Sequence, residues 1–354
     1  MAPAFHSSAR AAAFGGVVLF FLTLPVILDW IGPTSREQMY RGISERVGAF
    51  DFIRRQIFDS SSDLDVVFCG SSLLAGAIDP RYVERELSRA VGRRASVVVL
   101  PQSWQGPDMN YFVARDLLEA RRVKMLVIAS PSSTQQSNQP HVQLFRVVRY
   151  GDHPNALDGL GMRHRLSIYA DFVLGAPRHA LSLVRVNHID PDAGASIPYG
   201  TAEGYRGRPF KSHETAPSSI PADSMIYSIE SRDRFRFVNP PLNSYQLHFL
   251  QKTAELAREH DSVLAILHIP SPVERGAPTV FERQRLPEIF GNSVAFVGVP
   301  SSRLFQDIPG AEFFDYYHDE HLNTNGMALY TKAITPALIE LYERYYATSR
   351  RPEQ

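Results

Sequence analysis

Two short segments of the sequence contain side chains that together could carry out acyl transfer. The first is Gly70-Ser71-Ser72-Leu73, which places a hydroxyl directly after a continuous apolar run. The second is the segment 315–326, which contains His318, His321 and several carboxylates. A serine attacks an ester carbonyl when an imidazole takes its proton, and a carboxylate must fix the tautomer of that imidazole. We therefore predict that Ser72 is a nucleophile and that its base lies in the late segment.

The late segment allows two acid–base pairs, and both segments have simpler explanations. Asp319 can pair with His321, or Asp315 can pair with His318. The Gly-Ser-Ser sequence can instead form only a turn, since these residues favour turns. The carboxylates between His318 and His321 do not match the spacing of a zincin, so we predict no metal. Further polar residues could line an anionic groove or be solvated charges: His141, Arg146, Arg149 and His153.

The elements around Ser72 predict a parallel sheet. Residues 65–69, 95–100 and 123–129 are apolar runs typical of strands that are covered on both faces. Helices are predicted between them, one opening at Asp79-Pro80 and one over 109–120. Alternating strands and helices indicate an α/β fold with a doubly wound parallel sheet. Ser72 would then lie at the carboxyl edge of that sheet, where open α/β folds bind ligands.

The middle of the chain breaks this pattern. We interpret residues 131–241 as a long insertion that packs over the edge of the sheet and could serve as a lid, with one helix over 168–186. The α/β pattern then returns. The later elements are a helix over 244–260, strands over 262–269 and 293–299, and a final helix over 326–347.

The N-terminus predicts a membrane anchor. Residues 11–28 contain no charged side chain, and at about 1.5 Å per residue they are long enough to cross a hydrocarbon layer. A cleaved signal peptide is the alternative, but its apolar core is usually shorter and ends in small residues. We therefore divide the chain into a tip and transmembrane anchor (1–34), a helical neck (35–63) and an α/β domain (64–348) that faces away from the cytoplasm.

Composition narrows the class of protein. The hydrophobic fraction of 44% and the charged fraction of 21% are those of an ordinary globular protein. The 37 basic residues equal the 37 acidic residues, which gives no electrostatic reason to expect nucleic-acid binding. Cys69 is the only cysteine, so the chain forms no internal disulfide, and its place in an apolar run predicts a buried thiol.

Taken together, these segments resemble the SGNH/GDSL hydrolase superfamily. Gly70-Ser71-Ser72-Leu73 resembles the family's Gly-Asp-Ser-Leu block, with Ser71 in place of the aspartate. His321-Leu322-Asn323 followed by Gly326 resembles its histidine block. Residues 70–80 are similar to the membrane-anchored branch that includes the D-alanine transfer protein DltD and the proteins of polysaccharide O-acetylation.

The resemblance implies a three-layer, flavodoxin-like α/β fold and a set of site residues. Ser72 would be the nucleophile, His321 the base and Asp319 its partner, although the family's usual aspartate position is occupied by His318. Gly106 and the distant Asn138 are the candidates for the oxyanion hole, and the family's Gly-x-Asn-Asp motif is missing after the third strand.

The resemblance also implies a setting and a function. It implies a single-pass protein of the bacterial inner membrane with a periplasmic domain that adds or removes acyl groups on a cell-surface polysaccharide, or hydrolyses a small ester. A membrane-bound O-acyltransferase is an expected partner, and no cofactor is expected. The alternative is a non-catalytic scaffold of the same fold that binds a glycan or that membrane partner.

Overall fold

The protein is an α/β domain with one N-terminal apolar helix. The structure is a computed structural model and describes residues 7–31, 35–41, 43, 50–102, 106–130, 140–141, 143–186, 243–270, 272, 290, 294–299, 301–310, 312–318 and 321–346. Five parallel strands form the central sheet: β1 (Leu64–Gly70), β2 (Val97–Pro101), β3 (Val123–Ala129), β4 (Val263–His268) and β5 (Val294–Gly298).

The strand order is β2-β1-β3-β4-β5. The chain moves outward from β1 to β2 and then crosses back to β3 on the other side of β1, so the order reverses next to β1. Every residue of β1 is buried, and Val66, Val67, Phe68 and Cys69 are fully enclosed. This confirms the predicted buried thiol, and burial raises the pKa of Cys69 to about 12. A five-stranded parallel sheet in an α/β fold is therefore present, as the sequence predicted.

Helices connect and cover the strands. After β1 come α4 (Ser72–Ala77) and α5 (Pro80–Val91), and β2 leads to α6 (Pro107–Ala120). After the insertion come α10 (Ser244–Glu259), the short α11 (Ser301–Leu304) and the C-terminal α12 (Thr324–Tyr346). Helix α6 packs with α10, and α5 packs with α12. The predicted caps are present at Asp79, whose carboxylate accepts from the backbone of Arg81 and Tyr82.

Helix α4 was not predicted. The first helix predicted after Gly70 opens at Asp79-Pro80, but a short helix already begins at Ser72. Its side chains Leu74, Ala75 and Ala77 are buried against the core, which the local sequence does not reveal because the helix is only six residues long. Isolated helices of this length are unstable, so packing decides the conformation here.

The described part of the predicted insertion is largely helical. It contains α7 (Leu144–Val147), a 3-10 turn (Tyr150–Asp152), α8 (His153–Ala156) and α9 (Met162–Val186). Leu144, Val147 and Leu160 are buried in the main core, so this region belongs to the body of the domain. Helix α9 begins six residues before the predicted helix. The remaining stretch of the predicted insertion, residues 187–241, lies outside the described residues, and the predicted lid role includes that stretch.

The predicted neck is helical but packs onto the domain. It contains α2 (Arg36–Arg41) and α3 (Phe50–Arg54), which continues as a π-helical turn (Arg55–Asp59). Arg36 donates three hydrogen bonds of 2.5, 2.6 and 2.9 Å to the carboxylate of Asp116 in α6, and the hydroxyl of Tyr40 donates to the same carboxylate at 2.6 Å. The side chain of Asp116 is 1% exposed, so the ion pair of Arg36 and Asp116 attaches the neck to a buried site in the domain.

Helix α1 (Ser8–Ile31) has 24 residues and is long and apolar enough to cross a membrane. Among the residues that the structure describes, it is the one helix with these properties. Its far end contacts the domain: Asp29 and Arg149 form an ion pair at 2.5 Å. Arg149 was predicted to line a groove or to be solvated, and both interpretations are wrong because its guanidinium holds the end of α1.

At the amino edge of the sheet, opposite Ser72, a buried carboxylate ties three elements together. Asp65 accepts hydrogen bonds from Arg93, from Lys124 at 3.0 Å and from Tyr342 of α12. Burial alone would raise the pKa of Asp65, but the hydrogen bonds from Arg93, Tyr342, the Ser96 backbone and Lys124 outweigh it and hold the pKa well below its ordinary value.

We expect Asp65→Asn to destabilise the protein by about 3 kcal/mol at pH 7, because Arg93 and Lys124 lose their counter-charge. Since the folded pKa is below the unfolded pKa of about 3.9, the stabilisation is complete above that value and disappears as the pH falls below it. Urea unfolding of the full chain in detergent, followed by circular dichroism, should show the largest difference at neutral pH. The exposed Asp63→Asn is the matched control, and a difference that grows in acid would contradict this account.

Candidate active site

Ser72 lies where the strand order reverses. It follows the end of β1 and is the first residue of α4, with Ser71 as the N-cap. In a sheet of order 2-1-3-4-5, the crevice for ligands opens at the carboxyl ends of the strands on either side of this reversal. Ser72 is half-buried, so its side chain is held by the protein and still reachable from solvent. This is the position that the sequence predicted for it.

The two residues before Ser72 bring α4 close to the sheet. A Cβ atom on Gly70 would lie 3.0 Å from Leu74 Cδ2 and 3.4 Å from Ala129 Cβ, so α4 packs closely on the end of β1 and a larger residue would require Leu74 to shift. Ser71 is 4% exposed, and its Oγ has no hydrogen-bond partner among the described residues. The two adjacent serines therefore differ: Ser71 is enclosed, whereas Ser72 is directed to the crevice.

His321 contacts Ser72. Its Nε2 lies 2.9 Å from Ser72 Oγ, although the two residues are 249 positions apart in the sequence. The geometry is that of a hydrogen bond, and with Nδ1 protonated Nε2 accepts the serine O–H. The structure thus brings together the two residues that the sequence predicted as nucleophile and base, within the distance that proton transfer requires.

A small antiparallel ribbon presents His321. Its strands are β6 (Tyr317–His318) and β7 (His321–Leu322), and neither was predicted. A 3-10 turn (Phe313–Tyr316) precedes the ribbon, and α12 follows it. Strands of two residues carry too little of an alternating pattern to be recognised in a sequence.

Asn323 and Gly326 fix this ribbon to the start of α12. The side-chain oxygen of Asn323 accepts from the backbone of Asn325 at 3.0 Å and of Gly326 at 3.1 Å, and its amide donates to the carbonyl of Asp315 at 2.5 Å. A Cβ atom on Gly326 would lie 2.3 Å from the carbonyl oxygen of Tyr316, so only glycine fits. The Leu-Asn-x-x-Gly pattern therefore has a structural reason: it closes the loop that carries His321.

Helix α12 also holds the other half of the site. The hydroxyl of Thr331 donates to the carbonyl of Ala77 at 3.0 Å and accepts from the backbone N–H of Asp79 at 3.0 Å. Thr331 thereby fastens the end of α4 to the helix that begins three residues after His321. One rigid element consequently sets the separation between Ser72 and His321.

The carboxylate partner of His321 is not decided by the described residues. Asp319 lies outside them, between β6 and β7 in the sequence. Of the alternative pair, Asp315 lies in the 3-10 turn and its carbonyl binds Asn323, while His318 pairs with His321 in the backbone register of the ribbon. Because His321 hydrogen-bonds to Ser72, the pair Asp319–His321 stays the prediction.

Gly106 lies on the same edge of the sheet as Ser72. It caps α6, which follows β2, and β2 pairs in parallel with β1 through Gly70 and Pro101. A Cβ atom on Gly106 would lie 2.7 Å from His141 Cδ2 and 2.8 Å from Asp108 Oδ1. Packing by itself therefore requires a glycine here, and the oxyanion role stays a prediction. Asn138 lies outside the described residues.

A buried polar cluster lies next to Gly106 and was not predicted from the sequence. Asp108 is fully buried and accepts from the backbone N–H of His141 at 2.8 Å and from the hydroxyl of Tyr245 at 2.7 Å. Burial and the adjacent carboxylate raise the pKa of Tyr245 well above its ordinary value. His141 is 4% exposed, so it neither lines a groove nor is solvated, as the sequence had suggested. Asp108 gave no signal because it reads as an ordinary first-turn acid.

The aromatic residues near the ribbon pack together. Phe305 meets Phe313, Tyr316 and Tyr317 with ring centroids 4.9, 5.4 and 5.6 Å apart, and all four are buried. They support the loop of His321. Within the described part of the chain, no group of three or more His, Cys, Asp or Glu side chains could hold a metal ion.

The fold and the site together define an α/β protein that has one N-terminal helix long and apolar enough to cross a membrane and a serine–histidine pair at the carboxyl edge of a parallel sheet. No protein-family model and no curated protein matches this chain.

Proposed function

We propose that this protein is an extracytoplasmic serine-dependent acyl transfer or ester-hydrolysing enzyme. The observation that carries the proposal is the 2.9 Å contact between Ser72 Oγ and His321 Nε2, at the end of a buried strand where the strand order reverses. A serine and a histidine in this arrangement can activate the hydroxyl as a nucleophile. Neither side chain is fully buried, so an ester can reach both of them.

The proposed reaction has two steps. Ser72 Oγ bonds to the acyl carbon while His321 Nε2 takes the serine proton, and the same proton then passes to the departing alcohol oxygen. The resulting acyl-enzyme is attacked by water, which gives hydrolysis, or by a sugar hydroxyl, which gives transfer. His321 again takes the attacking proton and returns it to Ser72. Asp319 orients the imidazole and stabilises its charged form.

The oxyanion in each step requires hydrogen-bond donors that are in place beforehand. The backbone N–H of Ser72 is a suitable donor, because the first N–H groups of a helix have no intrahelical partner. Gly106 is the proposed second donor and Asn138 a more distant one. The close packing of Gly106 on His141 holds its backbone in one position, which is what such a donor requires.

We assign the fold to the three-layer SGNH type. The support is the strand order β2-β1-β3-β4-β5, together with two helix groups, α6 with α10 and α5 with α12. The Gly-Ser-Ser-Leu and His-Leu-Asn segments occupy the carboxyl edge of the first strand and the loop before the last helix, as the resemblance implied.

The proposed setting is the bacterial inner membrane, with α1 as an uncleaved single-pass anchor and the domain in the periplasm. The length and apolar surface of α1 support an anchor, and the Asp29–Arg149 ion pair supports its retention in the mature protein. The proposed substrate is an acylated cell-surface polysaccharide or a small ester. A membrane-bound O-acyltransferase is the proposed partner. Both proteins would be anchored in the same membrane, so an acyl group could pass between them.

A non-catalytic scaffold is the second candidate, and one observation favours it. Packing against His141 and Asp108 explains Gly106 without any oxyanion role, and the family's asparagine motif is missing. Such a scaffold would bind a glycan or the membrane partner through the same crevice.

Covalent labelling separates the two candidates. A fluorophosphonate probe reacts with an activated serine by forming an oxygen–phosphorus bond and releasing fluoride. We expect the full-length protein in detergent to gain one probe, located on Ser72 by peptide mass spectrometry, and we expect no label in Ser72→Ala. Unlabelled wild-type protein, with folding verified by circular dichroism, would favour the scaffold.

A further inference from the structure

Helix α9 exposes apolar side chains on its outer face. Met162 and Leu166, one turn apart, are 70% and 60% exposed, and the exposed Ala170 continues the row by another turn. The inner face is used for packing, with Ile168 and Phe172 in the core. A surface helix of a water-soluble domain normally presents polar residues on its outer face. The row of Met162, Leu166 and Ala170 is therefore suited to an apolar environment.

The same helix touches α1. Tyr169 follows Leu166 by three positions and so lies on the adjoining side of α9. Its hydroxyl donates to the backbone carbonyl of Leu22 at 3.4 Å. Leu22, Ile27 and Leu28 of α1 are 43%, 41% and 56% exposed. The exposed apolar surfaces of α1 and α9 thus lie on two helices in contact.

The position of this contact along α1 sets the depth of α9. The Asp29–Arg149 ion pair marks the polar end of α1, and Trp30 beyond it is 85% exposed, as suits an interface residue. Leu22 precedes Asp29 by seven residues, or about 10 Å of helix. Amphipathic helices embed about 5–10 Å below the headgroups. With Asp29 at the headgroup level, Tyr169 lies at the depth that an embedded amphipathic helix occupies.

Basic side chains flank the apolar row. Arg163 and Arg165 are exposed, and Arg165 is held by a hydrogen bond of 2.6 Å to the carbonyl of Leu160. Long basic side chains can rest on apolar surface while their charged ends reach the headgroups. The positive charge of each side chain is attracted to the negative surface of an anionic leaflet.

We propose that the Met162–Leu166–Ala170 row of α9 inserts into the phospholipid bilayer that α1 spans, as a second membrane contact. The inference rests on the anchor in the proposed function but not on the proposed chemistry. Two contacts fix the tilt of the domain, whereas a single helix followed by a loose linker would let it rotate. The crevice of Ser72 is then held in one orientation above the membrane surface, toward acyl groups presented there.

Depth-dependent fluorescence quenching tests this proposal. Leu166→Cys in the full-length protein is labelled with an environment-sensitive dye and reconstituted into vesicles of phosphatidylethanolamine and phosphatidylglycerol. Cys69 is fully buried, so the introduced thiol is labelled selectively. We expect lipids with a quencher high on the acyl chain to quench the dye several-fold more than aqueous iodide does.

Two further variants serve as controls. Ile27→Cys on α1 should be quenched by the lipid, and Arg89→Cys, at an exposed position on α5, should be quenched by iodide. The proposal would be overturned if iodide quenched the dye at position 166, as at position 89, while lipid quenched the dye at position 27. The Met162–Leu166–Ala170 row would then be a surface for a protein partner. Iodide quenching at position 27 as well would overturn the anchor itself. Neither result depends on labelling of Ser72 by the fluorophosphonate.

Discussion

Replacing Ser72 with alanine is expected to reduce kcat/KM for p-nitrophenyl acetate by about 1,000-fold or more. The loss is large because the hydroxyl forms the covalent intermediate. Among the described residues, no other hydroxyl forms a hydrogen bond with His321. The structure should be retained, since Ser72 is half-buried and the substitution removes a single oxygen atom. Initial rates of full-length protein in detergent measure the effect.

Ser71→Ala is the matched control for that substitution. Ser71 is the neighbouring serine, and its Oγ has no partner among the described residues, so its removal costs no hydrogen bond seen there. We expect its activity to remain close to that of the wild type. Turnover that persists in Ser72→Ala, or that is lost in Ser71→Ala alone, would remove Ser72 from the role of nucleophile.

His321→Ala is expected to lower kcat/KM by about 100- to 10,000-fold, the usual contribution of a positioned general base. Because Ser72 and His321 act as one unit through their 2.9 Å contact, the double variant should be no less active than Ser72→Ala alone. A further loss in the double variant would mean that the two side chains contribute separately, which contradicts the proposed mechanism.

Three variants of the same loop complete that test. His318→Ala is the control for the base, and we expect it to be nearly as active as the wild type. Asp319→Asn should lower activity strongly, because an amide cannot stabilise the imidazolium, whereas Asp315→Asn should have a small effect. A strong loss of activity in Asp315→Asn together with a small loss in Asp319→Asn would instead identify Asp315 as the carboxylate partner of the histidine.

Local sequence signals predicted most of the regular elements. Strand β3 has the predicted bounds 123–129, because a continuous apolar run between helices allows few other conformations. The cap at Asp79 predicted the start of α5, and the structure adds a capping box of Asn243 and Gln246 at the start of α10, since capping depends on residues only three or four positions apart. The segments too short for a periodic pattern, α4 and the β6–β7 ribbon, could not be predicted in this way.

The sequence alone determined the candidate chemistry: Ser72 after a buried strand, His321 in a late acidic loop, and an apolar N-terminal helix. It could not determine that these parts meet, because contacts across 249 positions depend on strand order and helix packing rather than on neighbouring residues. The tertiary structure decided that His321 hydrogen-bonds to Ser72 and that Thr331 connects both halves of the site on α12. It also decided that Arg149 holds α1 and that α9 lies against α1, since burial and ion pairing are properties of the packed chain.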